Sequence, residues 1–281
     1  MAEKTRASMI AELTAAEQPF ELVPGKVFGR ECLRFKNAPE TLRNLYADAR
    51  SEAPFIVYGD ERLSFAETYA AAARVAHVLV TDYNIERGDR VAISMRNYPE
   101  WILSFMAVTA VGGIAVAMNA LWRPDEMAFG LSDSGAKLLI ADQERLDRFA
   151  DIDPVLNIQV IAVRPDASIH PNLADLVSAY ADVSEMPEQK PQPEDDATLM
   201  YTSGSTGNPK GVASCHINIV SALMSWELDQ TTAIALLPEA PAEPAHPPAT
   251  LLAVPLFHAT GSHAVFLASY RHQRKLVAMY K

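Results

Sequence analysis

The sequence has only two cysteines, Cys32 and Cys215, set far apart. That excludes a disulfide framework, offers no zinc-type spacing, and fits a reduced, cytoplasmic setting. It has no block of lysine and arginine, and its net charge of −11 argues against a nucleic-acid partner. Its first residues, Met1-Ala2-Glu3-Lys4, lack the apolar core of a secretory signal. His77, His170, His246, His263 and His272 show no ligand-like spacing, so no metal-ligating set is expected. His77 lies on an apolar helical stretch and is expected in the core, and Asp195-Asp196 reads as solvated linker charge. No internal repeat is visible. One run, Trp101 to Trp122, carries no charge and is long enough to span a bilayer. Gly112-Gly113 interrupts it, so it reads instead as a buried helix, a glycine stop and a buried strand.

What remains describes an ordinary folded protein. The 281 residues are 49% hydrophobic and 21% charged, enough for a sizeable core in one or two domains. Residues 1–39 show little periodicity and read as an N-terminal extension. Glu40 to Arg50 reads as a helix, Phe55 to Ser64 as a hairpin around Gly59-Asp60, and Ser64 as the cap of the next helix. Strands are then expected near 90–95, 114–118, 137–141 and 158–163, with helices between them. That alternation implies crossover units and a largely parallel sheet covered by helices, an α/β fold. Glu185 to Asp196 reads as a linker. A strand over 197–201, a loop and a helix through 220–226 follow; Pro238 to Pro248 reads as a surface insertion, and a further strand over 251–254.

The most specific segment is Tyr201-Thr202-Ser203-Gly204-Ser205-Thr206-Gly207-Asn208-Pro209-Lys210-Gly211-Val212. Its glycines let the backbone turn tightly and aim N–H groups at one anion. Its hydroxyls add donors, and Lys210 adds a charge that can follow a phosphate. Pro209 and Gly211 flank Lys210, so the arrangement differs from a Walker loop, which has Gly before Lys and Ser or Thr after it. A flexible Ser/Gly linker would need neither the Pro-Lys-Gly nor the flanking apolar runs.

This run resembles the phosphate-loop signature of the class I adenylate-forming superfamily, which includes acyl-CoA synthetases, luciferases and peptide-synthetase adenylation domains. Pro255-Leu256-Phe257-His258-Ala259-Thr260-Gly261 is similar to a second family segment that lines the acyl pocket. Shorter resemblances are Arg62 to Glu67, Gly88 to Ile93 with Asn97 to Trp101, and Leu131 to Ala136, all of them fold markers. His216 also matches a family position and reads as packing or capping support. The resemblance implies a fold of stacked, largely parallel sheets flanked by helices. It divides the chain into the extension 1–39, a first α/β subdomain over 40–190 and the start of a second over 191–281.

It also implies a reaction in two halves: a carboxylate and ATP give an acyl-adenylate and pyrophosphate, and the thiol of coenzyme A then takes the acyl group. ATP, Mg2+ and coenzyme A are the implied cofactors and co-substrates. Thr202 and Lys210 take the catalytic positions, and Thr202, Ser203, Gly204, Ser205, Thr206, Gly207 and Lys210 hold the nucleotide. Phe257, His258 and Gly261 line the acid site, Gly261 by leaving space. The bland alternative for His258 is a buried histidine satisfied by a neighbour. The nearest likeness is to bacterial fatty-acyl-CoA synthetases, with a fatty acid as substrate. Aryl-CoA ligases and peptide-synthetase domains share the loop, and a nucleotide-binding fragment without catalysis is the rival of another class. Family motifs for magnesium, ribose and the C-terminal lysine normally follow later, so the chain reads as an N-terminal half. That half is expected to be inactive alone and prone to self-association through exposed apolar surface.

Overall fold

The computed structural model describes residues 5–152, 156–202, 209–239, 242 and 244–279. The strands among them are β1 (Leu22–Val27), β2 (Arg30–Phe35), β3 (Pro54–Tyr58), β4 (Glu61–Ser64), β5 (Arg90–Ser94), β6 (Ile114–Ala117), β7 (Leu138–Asp142), β8 (Gln159–Val163), β9 (Asp196–Thr202), β10 (Lys210–Cys215), β11 (Ala249–Leu252) and β12 (Lys275–Ala278). The helices are α1 (Arg6–Leu13), α2 (Leu42–Asp48), α3 (Phe65–His77), α4 (Pro99–Ala110), α5 (Pro124–Ser134), α6 (Gln143–Ala150), α7 (Leu173–Ser178), α8 (His216–Ala235) and α9 (Ala268–Arg271). Two π-helical stretches extend them, Val78–Asp82 after α3 and Thr260–Leu267 before α9.

Local chemistry sets many of these boundaries. Ser64 and Glu67 close a capping box that starts α3, and Pro124 opens α5 at a position where its missing N–H costs nothing. Gly135, at φ 60°, ends α5 in the left-handed conformation that a side chain disfavours. The run from Trp101 to Trp122 forms α4, a turn at Gly112 and β6. Trp101, Phe105 and Val116 are fully buried, and no helix among the described residues is long and apolar enough to cross a membrane.

Three sheets result. A six-stranded sheet has the order β10-β9-β6-β5-β7-β8, parallel throughout except for β10 on β9. A four-stranded sheet has the order β11-β12-β3-β4, with β11, β12 and β3 parallel. A separate hairpin pairs β1 with β2. The larger core lies on the face of the six-stranded sheet that meets α3, α4 and the four-stranded sheet. Here Trp101 stacks on Phe105 at 5.2 Å, and Phe105 meets Phe266 edge-on at 5.9 Å. A smaller core under α5 and α6 covers the other face.

Several expectations need revision. Residues 6–35 hold α1 and the β1–β2 hairpin. The strand pairing does not follow the division expected at 190/191: β9 and β10 extend the sheet begun by β5, while β3 and β4 join β11 and β12. Sheet membership follows which apolar strands can pair side by side, and sequence order does not reveal that. A strand, β10, stands where only loop and helix were expected. His77 is half-buried, with Nε2 3.1 Å from the carbonyl of Glu185. Asp195 is no free linker charge, since its carboxylate takes two bonds of 2.5 Å from Arg87 and one from the Gln192 N–H.

His216 acts as a buried support. Its Nδ1 accepts from the Leu42 N–H at 3.2 Å, which ties the start of α8 to the start of α2. His263 is buried beside Ser262, with Nδ1 and Oγ 2.8 Å apart. Burial pushes both imidazoles down from 6.5 to about 4. The unfolded chain therefore takes up protons before the folded one. The contribution of these two groups to stability should fall as pH drops from about 6.5 to about 4, at about 1.4 kcal/mol per unit for each. Urea midpoints at pH 7 and pH 5 check this, and His216→Asn, which still offers Leu42 an acceptor, should reduce the difference to the part that His263 supplies. Equal midpoints in the unmodified protein would contradict it.

Candidate nucleotide and acid site

β9 carries the phosphate-loop segment to the sheet edge where β5, β6 and β7 also end. In open parallel sheets, ligands bind beyond the carboxyl ends of the strands. Residues 203–208, which include Ser203, Gly204, Ser205, Thr206 and Gly207, lie outside the described residues. The two ends of the loop are described. Thr202 on β9 stands directly opposite Lys210 on β10, and the Thr202 hydroxyl donates to the Lys210 carbonyl at 3.5 Å. Both side chains are exposed. Opposed residues in an antiparallel pair project from the same face, so hydroxyl and ammonium leave the ladder together.

That face can be identified. Side chains alternate along β9. Leu199 and Tyr201 pack on the smaller core under α5, whereas Met200 packs on the larger one. Thr202 shares the parity of Met200, so Thr202 and Lys210 project on the side of the four-stranded sheet. Tyr201 anchors the strand from behind: its ring meets Trp122 at 5.3 Å, and its hydroxyl donates to Asp133 at 2.7 Å. Burial, reinforced by Asp133, raises the phenol well above its ordinary range.

The Pro255–Gly261 segment follows β11 on this same side. Asn97, just past β5, holds it with both ends of one amide: Nδ2 donates to the Val254 carbonyl and Oδ1 accepts from the Leu256 N–H, each at 2.9 Å. The amide thus replaces a strand partner between two sheets that share no ladder. A cavity of about 250 Å3 opens there, lined by Asn97, Ala120, Leu121, Pro255, Phe257 and Met279 among others. The buried Arg145 walls one side, donating twice to the Ala120 carbonyl, to both carboxylate oxygens of Asp142 and once to Glu144. A buried guanidinium paired in this way fixes the Ala120 turn.

The expected acid-site residues separate in this geometry. Phe257 is 7% exposed and faces the cavity. His258 is exposed, its ring 4.6 Å from that of Phe257, so it is not the buried, satisfied histidine of the bland reading. Gly261 is buried, and a Cβ there would lie 2.1 Å from the Pro255 carbonyl oxygen. The space beside Gly261 is filled by the chain itself, which is why the turn and the π-helical stretch can touch. Sequence reading treated Asn97 as a fold marker and missed its clamp; a polar residue directly after a buried strand was the available signal. No group of three His, Cys, Asp or Glu side chains that could hold a metal ion occurs among the described residues.

The sequence pattern of the AMP-binding enzyme family matches residues 45–280. The chain belongs to that family. It is 31% identical over 239 residues to an oxalate–CoA ligase of Arabidopsis thaliana, covering 82% of this chain and 43% of the relative. It is 34% identical over 174 residues to the long-chain-fatty-acid–CoA ligase FadD13 of Mycobacterium tuberculosis, covering 59% and 32%. The fold matches that of the anthranilate–CoA ligase AuaEII, solved with anthranoyl-AMP, with a TM-score of 0.74 at 21% identity over 86% of this chain and 45% of that one. The chain therefore spans less than half the length of these relatives, and their carboxylic acids differ.

Two substitutions test how the Pro255–Gly261 turn is held. Asn97→Ala removes two hydrogen bonds and should cost about 1–3 kcal/mol. It should also speed hydrogen exchange at the Leu256 amide. Gly261→Ala should be destabilising by a similar amount through overpacking. Denaturant midpoints and exchange mass spectrometry read both, and a fully protected Leu256 amide in Asn97→Ala would contradict the clamp.

Proposed function

We propose that this chain carries the phosphate grip and part of the acid cavity of an AMP-forming carboxylate–CoA ligase, with a fatty acid as the carboxylate. The observation that carries the reading is the opposed Thr202–Lys210 pair, projecting at the strand ends on the side of the Phe257 cavity. The apolar Phe257, Leu121 and Met279 in the lining suit an alkyl chain, and the likeness to FadD13 supports the same class.

In the first half-reaction a carboxylate oxygen bonds to the α-phosphorus of ATP. The bond from that phosphorus to the bridging oxygen breaks, and pyrophosphate leaves with the electron pair. Negative charge grows on the departing group. Lys210 and the loop hydroxyls, Thr202 to Thr206, would contact the β- and γ-phosphates and offset that charge. Mg2+ bound to the nucleotide would supply further charge neutralisation. Phe257 would wall the acid, with His258 at the mouth beside it. The thiol of coenzyme A would then attack the acyl carbon and release AMP.

Pyrophosphate exchange into ATP, dependent on added carboxylate, tests the reading. Lys210→Ala or Thr206→Ala should weaken ATP binding or exchange by roughly ten- to a hundredfold, the worth of one charge-assisted contact. A panel of oxalate, aromatic acids and medium and long fatty acids separates the substrate classes. Unchanged kinetics in Lys210→Ala would refute the loop assignment, and preference for oxalate or an aromatic acid would refute the fatty-acid assignment. The 281 residues alone are expected to bind ATP without forming acyl-CoA, because a partly built site forfeits much of the positioning that speeds the reaction. Robust acyl-CoA formation by the purified chain would overturn that expectation.

A further inference from the structure

The β1–β2 hairpin differs in charge and exposure from the rest of the molecule. Residues 22–36 contain Lys26, Arg30, Arg34 and Lys36 against a single acid, Glu31, a net +3 within a chain of net −11. One face of the hairpin is occupied. Val23 and Arg34 sit opposite each other on it, the Arg34 chain covers Gly25, and a cleft there is also lined by Ile217 and Val220 of α8. The other face is open toward the tip, while Phe35 at its base packs edge-on against Phe20. Leu33 is 65% exposed opposite Pro24, beside the loose ion pair of Lys26 and Glu31 at 3.8 Å.

The tip is the most informative part. Two residues, Phe28 and Gly29, connect the strands, with φ of 50° and 73°. Both central residues in the left-handed region is the pattern of a type I′ turn, which favours Asn-Gly. A bulky aromatic residue is disfavoured in that conformation. Packing gives nothing back, because Phe28 is 60% exposed. A turn shaped only for stability would not place a phenyl ring there.

We propose that this hairpin docks the protein on a bilayer surface containing anionic lipid. The ring of Phe28, with Leu33 and Pro24, enters the headgroup boundary, where aromatic and apolar side chains are favoured next to polar neighbours. Lys26 and Arg30, nearest the tip, lie against the lipid phosphates, and Arg34 and Lys36 add longer-range attraction although Glu21 partly offsets Lys36 at 2.9 Å. The attachment is peripheral. An acidic protein would satisfy the cations but would leave the aromatic tip without a partner, so the lipid surface fits both features.

The inference does not depend on the ligase reading and is tested without catalysis. Vesicles of phosphatidylcholine, with and without phosphatidylglycerol, are sedimented with the intact chain. Binding is expected only when phosphatidylglycerol is present, and it should weaken as salt rises. Each basic residue near the surface is worth roughly a fivefold change, so Lys26→Glu with Arg30→Glu should weaken binding by well over tenfold. Phe28→Asn restores the favoured Asn-Gly turn. It should raise the melting temperature while weakening vesicle binding several-fold, a combination that a purely structural hairpin would not give. Absence of binding to phosphatidylglycerol vesicles overturns the proposal, as does full binding by Phe28→Asn. Capture by soluble polyglutamate with no vesicle binding would likewise overturn it, in favour of an acidic protein partner.

Discussion

The parallel pairing of β9 with β6 is the constraint on which the candidate site depends. Thr198, Leu199 and Met200 sit in register with Ala115, Val116 and Ala117, although about eighty residues separate the strands. Because β9 runs parallel to its neighbour, its end must emerge at the edge where β5 and β6 release their own turns. A shift of one residue would send Met200 to the α5 face and Tyr201 toward the larger core. Thr202 and Lys210 would then project away from the second sheet. The packing of Tyr201 against Trp122 and its bond to Asp133 resist that slip, so residues remote from any ligand fix where the loop opens.

Much of the fold was readable because its signals are local. Ser64 before Glu67, Pro124 at a helix start and Gly135 at its end act through neighbours within one turn. The burial of α4 and β6 followed from Gly112-Gly113 and the apolar runs on either side of it. What escaped reading depends on partners outside the segment itself. β10, Lys-Gly-Val-Ala-Ser-Cys, has weak strand character by itself and exists because β9 offers a ladder. The exchange of strands between the two sheets could not be seen either, since an apolar strand does not declare which of several parallel neighbours it will join.

The site shows the same division. The loop sequence and the Phe257 segment announced themselves through composition and resemblance. What holds the Phe257 segment at the end of β5 did not, because it rests on the Asn97 amide reaching 157 and 159 residues ahead to Val254 and Leu256. Gly261, expected to leave space for the acid, lacks a side chain for a packing reason. Its lack of a side chain admits the Pro255 carbonyl of the same chain, which draws the π-helical stretch against the turn that presents Phe257.

The presence of β10 also changes the electrostatics expected of the loop. In a Walker arrangement the loop runs directly into a helix, and the helix N-terminus contributes partial positive charge to the phosphates. Here six residues of strand intervene before α8 begins at His216, so the macrodipole of α8 starts a strand's length from the loop. It falls off within its first turn and is of little use at that distance. In a chain of net −11, a bound polyphosphate would then have to rely on Lys210, loop N–H groups and hydroxyls, and the cation the nucleotide brings with it. Lys210 is well placed for this because β10 fixes its backbone opposite Thr202, which limits the reorganisation its ammonium must undergo. On the proposed reading, a strand-fixed lysine would do by position what a helix terminus would do by field, with the ladder between β9 and β10 supplying the position.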